Sequence, residues 1–518
     1  MEDDIFIEEE LNEKEVVKNT NKILYLVSDY LEELMHNDKE LYNKFQTVSE
    51  DDPELRSYFK EWWTNKIEES KEEDRNTTTK MEFWKNQLAF GNFKITLDNY
   101  MENVECFHKI CPFFYDKQKL FWIWNEKESK YELIDDTYMM VLLDNLLNFR
   151  GQTVSSGIKN NYLEAFKRVG RMRIPKDAPS KWIQFNDHAF SLNSSKIYKV
   201  TPDYFFTNPI PWKIGNSADT PTIDKLIIEW VGEKYLKTAY EIIAYCCLRE
   251  YPIHRIFCFV GAGRNGKSKF LGLIYNFIGG NNVTSTELDT LLDSRFESFK
   301  LYKKLVCLLG ETNFGILNKT SLLKRLTGQD TIGYECKNKM PFDDMNYAKI
   351  LIASNSLPTT ADTSDGFWRR WLILDFPNIF PEGKDILKTI PNIEYENLAN
   401  KVMGILKTLL SSGEFTKEGS IEERKEKYIL SSNPLPMFIK KYCTLEDELY
   451  CLYNELYSGY LAYLKHNKKR KVSRKEFKES LENEGFWVER TSKRVGDEFK
   501  VGQWIDGVGY SKDFMQFM

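Results

Sequence analysis

The chain has 518 residues, 42% of them hydrophobic and 14% aromatic, and a formal net charge of −6. That is apolar material for about three or four globular domains, and it excludes a disordered chain or a repetitive fibre. No run nears the ~18 apolar residues of a membrane span, and MEDDIFIEEE is the opposite of a signal peptide, so a soluble cytoplasmic protein with no membrane partner is expected.

Residues 1–80 hold 23 acidic against 11 basic side chains, so the rest of the chain is net positive. The segment 12–70 has apolar positions at Leu24, Val27, Leu31 and Leu34 spaced for a helix, and KIEESKEEDRNTTTK (66–80) reads as a linker. Residues 81–215 read as a mixed α+β domain, with a hairpin in KLFWIWNEKESKYELID, a helix near 137–149 and short strands in WIQFNDHAFSL and KIYKVT. Cys106, His108 and Cys111 lack the further ligands a zinc site needs, and the nine cysteines read as free thiols.

A pair of amphipathic helices over 220–248 leads into IFCFVGAGRNGKS, an apolar strand running into a glycine-rich loop and then a helical pattern. Gly261, Ala262, Gly263, Arg264, Asn265 and Gly266 let backbone N–H groups curl around a phosphate chain at a helix N-terminus. Lys267 reaches β- and γ-phosphates, Ser268 offers a hydroxyl to Mg²⁺, and Lys269 adds charge; the expected ligands are ATP and Mg²⁺. Three further apolar strands follow, KLVCLLGE, AKILIASN and RWLILDF, so 216–400 reads as an α/β ATPase core with a mainly parallel sheet. Glu311 ends the first of them as an acid able to hold Mg²⁺ or polarise the attacking water. Asn355 ends the second as an amide able to orient that water. Arg369 and Arg370 enter the last strand, expected on the loop side with Asn355, where an arginine can stabilise γ-phosphate charge from a neighbouring subunit. Residues 401–518 read as a helical, winged-helix-like tail with Phe477, Leu481, Phe486 and Trp487 in its core and a basic stretch, KHNKKRK.

The phosphate loop, the strand ending in Glu311, LKRLTGQD (323–330), Asn355-Ser-Leu-Pro358 and Trp368-Arg-Arg370 stand in the order seen in superfamily 3 helicases. They resemble above all the primase–helicases of poxviruses, other large DNA viruses, phages and plasmids, over roughly residues 100–518. The resemblance implies an AAA+-like P-loop core and a homo-hexameric ring. It also implies ATP held between subunits, single-stranded DNA in the channel, replication-fork DNA as substrate, and a primase or polymerase as a further partner. It makes Lys337 and Lys339 candidate channel lysines and gives Lys324 a contact with ATP or DNA. Glu311 lacks the second adjacent acid many relatives carry, and the 80–100 residues before the resemblance are too few for a primase, which points to a stand-alone helicase or a fragment of a longer chain. The competing expectations are an origin-binding initiator ATPase without processive unwinding and a ring ATPase for remodelling or DNA packaging.

Overall fold

A computed structural model describes residues 100–514 apart from 149–155, 262, 311–315, 318, 337–339, 382–384, 468, 470 and 512. The helical run expected over 12–70 and the linker over 66–80 lie outside the described residues. The chain divides into two compact units, and the division runs through the stretch 81–215. Residues through Pro179 together with Tyr198–Pro209 form the first, and Ser180–Ile197 joins everything from Ile210 onward in the second.

In the first unit, helix α1 (Tyr100–Ile110) precedes an antiparallel meander of β1 (Phe113–Tyr115), β2 (Phe121–Asn125) and β3 (Lys130–Ile134). Helices α2 (Asp136–Asn148) and α3 (Ser156–Met172) follow. The expected hairpin is β2–β3, with Trp122 opposite Leu133 and Trp124 opposite Tyr131. Phe107, Phe113, Phe121 and Phe166 are the centre of this unit's core. At the β1–β2 turn, Asp116 accepts from the Leu120 amide (2.9 Å) and from Trp122 Nε1 (2.7 Å), which satisfies a carboxylate otherwise costly to bury.

The second unit opens with the hairpin β4 (Trp182–Phe185) and β5 (His188–Ser191), followed by α4 (Pro221–Val231) and α5 (Leu236–Cys246). Pro221 presets the first turn of α4, and the Glu394 carboxylate accepts from the Thr222 and Ile223 amides (3.2 and 3.0 Å), capping that helix from far along the chain. Strand β6 (Ile256–Val260), helix α6 (Lys267–Ile278), β7 (Val283–Thr286) and β8 (Val306–Leu309) come next. Helix α7 (Thr320–Leu326), the hairpin β9 (Thr331–Tyr334) and β10 (Phe342–Met345), and β11 (Lys349–Ser354) follow. The short helix α8 (Asp365–Trp368) then leads into β12 (Trp371–Asp375).

Strands β6, β7, β8, β11 and β12 form one sheet of order β7-β8-β11-β6-β12, every pairing parallel. All five residues of β6 and all six of β11 are buried, as a parallel sheet with elements on both faces requires. The core joins these strands to α4, α5, α6 and the long α9 (Asn392–Ser412). Lys349 lies within it at 0% exposure, donating to the Leu248, Glu250 and Tyr347 carbonyls at 2.5–2.8 Å, with the Tyr245 and Tyr251 rings about it. Its ammonium thereby pins the start of β11 to the chain leaving α5.

The tail continues with α10 (Ile421–Ser432), α11 (Leu435–Tyr442), β13 (Cys443–Leu452), α12 (Tyr453–His466), α13 (Arg474–Asn483), β14 (Val488–Val495) and β15 (Glu498–Tyr510). Its antiparallel sheet has the order β13-β15-β14, so helix–strand–helix–helix–hairpin is the sequence of elements after α10. Phe477 and Leu481 are fully buried and Phe486 is half-buried against the same cluster, but Trp487 is 64% exposed. Trp487 does not join the core expected of it: one residue before Val488, whose side chain packs inward, it falls on the opposite side of the chain.

Candidate functional site

Strand β6 ends at Val260 and α6 starts at Lys267, so the glycine-rich loop leaves the carboxyl edge of a buried parallel sheet, where open α/β folds bind ligands. Two glycines are dictated by geometry. Gly266 has φ +88°, and a Cβ there would lie 2.4 Å from the Trp230 ring; a Cβ on Gly261 would sit 1.7 Å from the Asn265 amide. Gly263 and Arg264 are also left-handed, with φ of +97° and +48°. Ala262 lies outside the described residues.

The loop is held from the side of β12. Asn265 Nδ2 donates to the Phe376 carbonyl (3.1 Å), the Phe380 amide to the Arg264 carbonyl (2.8 Å) and the Phe376 amide to the Val260 carbonyl (2.8 Å). Lys267 is 5% exposed, and its Nζ donates to Gly261 O (2.7 Å), Asn265 Oδ1 (3.1 Å) and Asn355 Oδ1 (3.1 Å). These three acceptors are neutral groups. A phosphate oxygen would be a stronger partner. Ser268 is exposed at the start of α6. Lys269, by contrast, pairs with Asp385 (2.8 Å) on the outer side of the helix.

Asn355 directly follows β11, whose last residue pairs with Val260. The turn beyond it is fixed by α10: Leu357 N donates to Ser431 O (2.9 Å) and the Tyr428 hydroxyl to Pro358 O (2.8 Å). Glu311, two residues beyond β8 in the sequence, lies outside the described residues. Lys337 and Lys339 also lie outside them; by sequence they fall between β9 and β10. Lys324 donates to Asp362 (2.7 Å), which Thr320 also bonds at 2.5 Å. Burial pushes the Asp362 carboxyl up, but Lys324, Ser364 and Thr320 outweigh it and hold the group well below the ordinary carboxylate range.

The two arginines are not on the loop side. Trp371 pairs with Ile256 and Asp375 with Val260, so Arg369 and Arg370 sit at the amino edge of the sheet, four strand residues or about 13 Å from the loop's edge. The expectation of a shared edge with Asn355 fails because β12 runs parallel to β6 and the arginines precede it. Their fates also differ. Arg370, 6% exposed, donates Nε to Thr327 Oγ1 (3.0 Å), Nη2 to the Lys324 carbonyl (3.1 Å) and Nη1 to the Gly366 carbonyl. It locks the turn after α7. Arg369 is exposed and makes no side-chain hydrogen bond or ion pair among the described residues.

Sequence reasoning missed a clasp at the other end of β12. Asp375 takes Lys427 (3.1 Å) and Lys469 (3.1 Å), and Lys469 also donates to Ser431 Oγ (3.0 Å). Burial raises this carboxyl, but the two ammonium groups hold it below the usual range. Lys469 belongs to the KHNKKRK run, so one charge of that run is spent tying the tail to the residue beside Phe376.

Residues 259–370 match a family of unknown function (DUF5906), a span running from β6 to the arginine pair. Among solved structures, the chain is similar to the A form apo structure of the NrS-1 C terminal region, at 15% identity and a TM-score of 0.39, covering 78% of this chain and 97% of that one. A second structure of that region, residues 305–718, aligns at 16% identity and a TM-score of 0.41, covering 78% and 98%. No curated protein matches.

Proposed function

We propose that the chain is an ATP-driven DNA helicase of replication that works as a ring, with single-stranded DNA in its channel. The observation that carries this reading is the bridge from Lys267 Nζ to Gly261 O and Asn355 Oδ1 at the carboxyl edge of the parallel sheet. It joins a phosphate-binding lysine to a strand-tip amide in one cluster, as a P-loop ATPase core of the AAA+ kind requires. ATP phosphates would lie along 261–268, and Mg²⁺, with Ser268 as a ligand, would neutralise charge between them. Strand β11 separates β6 from β8, so Glu311 follows a strand two spacings from the loop strand, about 10 Å.

Arg369 sits at the opposite edge of the sheet from its own loop, so its use as a catalytic cation requires a neighbouring subunit, in keeping with a ring. Lys324 is engaged with Asp362, which leaves Lys337 and Lys339 as the stronger channel candidates. Replacing both by alanine should weaken single-stranded DNA binding, lower its salt dependence and remove DNA stimulation of ATP turnover, with nucleotide affinity kept. Filter binding across a salt series checks it; an unchanged slope would place the β9–β10 turn outside the DNA path.

A further inference from the structure

In the tail, the hairpin β14–β15 carries a better surface for nucleic acid than the helix α13 before it. We infer that one face of this hairpin binds double-stranded nucleic acid, an inference that rests on the reading of the chain as a DNA-engaging protein. Residues directly opposite in an antiparallel pair share a face. The register sets Arg490 opposite Gln503, Ser492 opposite Val501, and Arg494 opposite Phe499. That face holds two arginines and no carboxylate. The other holds Glu489, Glu498 and Asp506 with Lys493 and Lys500, and there Lys493 is paired to Asp506 at 2.8 Å.

The acid-free face is also the one toward the helices. At its root Val488 and Ile505 pack into the cluster that contains Phe477 and Leu481 of α13. Farther out the same face stands open, with Phe499 74% and Val501 73% exposed, a cost in water that a bound partner would relieve. Arg490 makes no side-chain hydrogen bond or ion pair among the described residues, while Arg494 folds back on the turn, Nε to the Gly496 carbonyl at 3.1 Å and Nη2 to the fully exposed Asp497 carboxylate at 3.8 Å, a surface pair that a phosphate can displace.

Helix α13 is a poor competitor. Its three basic and three acidic residues cancel, with Lys475 beside Glu479 and Lys478 beside Glu482 along the helix. Four residues of extended strand place Arg490 and Arg494 about 13 Å apart. That matches a major groove ~12 Å wide, which admits a two-stranded ribbon. Guanidinium groups at the ends and an apolar middle would meet two phosphate rows and the base or sugar edges between them.

The test is a fluorescence-anisotropy titration of the full chain with a short blunt duplex over a range of salt. Arg490→Gln with Arg494→Gln should weaken binding and reduce the slope of log K against log salt by about 1.8, the share of two phosphate contacts. Lys493→Gln with Lys500→Gln removes the same charge from the other face and should leave both quantities unchanged. Phe499→Ala should weaken binding with the slope kept; matching melting curves would show that all variants fold. Equal losses in the two double variants would reduce the effect to bulk charge, and no loss in either would make a protein the occupant; both overturn the inference, as does a loss confined to single-stranded DNA. ATP turnover measured on the same variants separates the two readings. Turnover with an indifferent hairpin leaves the helicase proposal standing, and duplex binding through the hairpin without turnover leaves this inference standing alone.

Discussion

Changing Arg369 to alanine should lower ATP turnover by about 10³–10⁵-fold, the worth of an arginine finger at other phosphoryl-transfer sites, while each chain still binds ATP. The residue is exposed, at the amino edge of the sheet, and engaged by no described side chain, so its loss costs little stability. Arg370→Ala should behave differently. It strips hydrogen bonds from Thr327 and from the Lys324 and Gly366 carbonyls in a buried turn, and should destabilise the fold by on the order of 3 kcal/mol. Thermal melting beside turnover separates the two. Mixing Arg369→Ala chains with Lys267→Ala chains, each inactive alone, should restore part of the turnover at interfaces that pair an intact lysine with an intact arginine. If no mixture regains activity although co-assembly is shown, the arginine is not donated between subunits.

A second large effect concerns the loop itself. Lys267→Ala removes the ammonium held among Gly261, Asn265 and Asn355, and should both weaken ATP binding and abolish turnover. Glu311→Gln should keep binding and stop hydrolysis, because an amide cannot take the proton of the attacking water. Equilibrium binding of a labelled nucleotide with a phosphate-release assay tells these defects apart. Wild-type turnover in the glutamine variant would remove Glu311 from the chemistry.

The strands around the loop were legible because fully buried parallel strands read as continuous apolar runs, and IFCFV, KILIAS and WLILD do so. The loop was legible because its glycines answer to local geometry, φ at Gly263 and Gly266 and crowding at Gly261. Strand β7, VTST, was missed, since it is short and only partly buried at the sheet edge. The edge on which the arginines lie depends on strand direction, which residue order alone does not convey until β12 is paired with β6. Asp375 and Glu394 meet partners 52 or more positions away, and no local pattern signals such contacts. Trp487 shows a smaller failure, where hydrophobicity suggested a core position that strand alternation denies.

Strand displacement on a forked duplex with a single-stranded tail asks most directly whether this chain unwinds DNA. With ATP and Mg²⁺ the unaltered chain should release the labelled strand, and neither a non-hydrolysable ATP analogue nor the Lys267→Ala chain should do so. ATP hydrolysis that is indifferent to DNA and releases no strand from the fork would contradict the helicase reading.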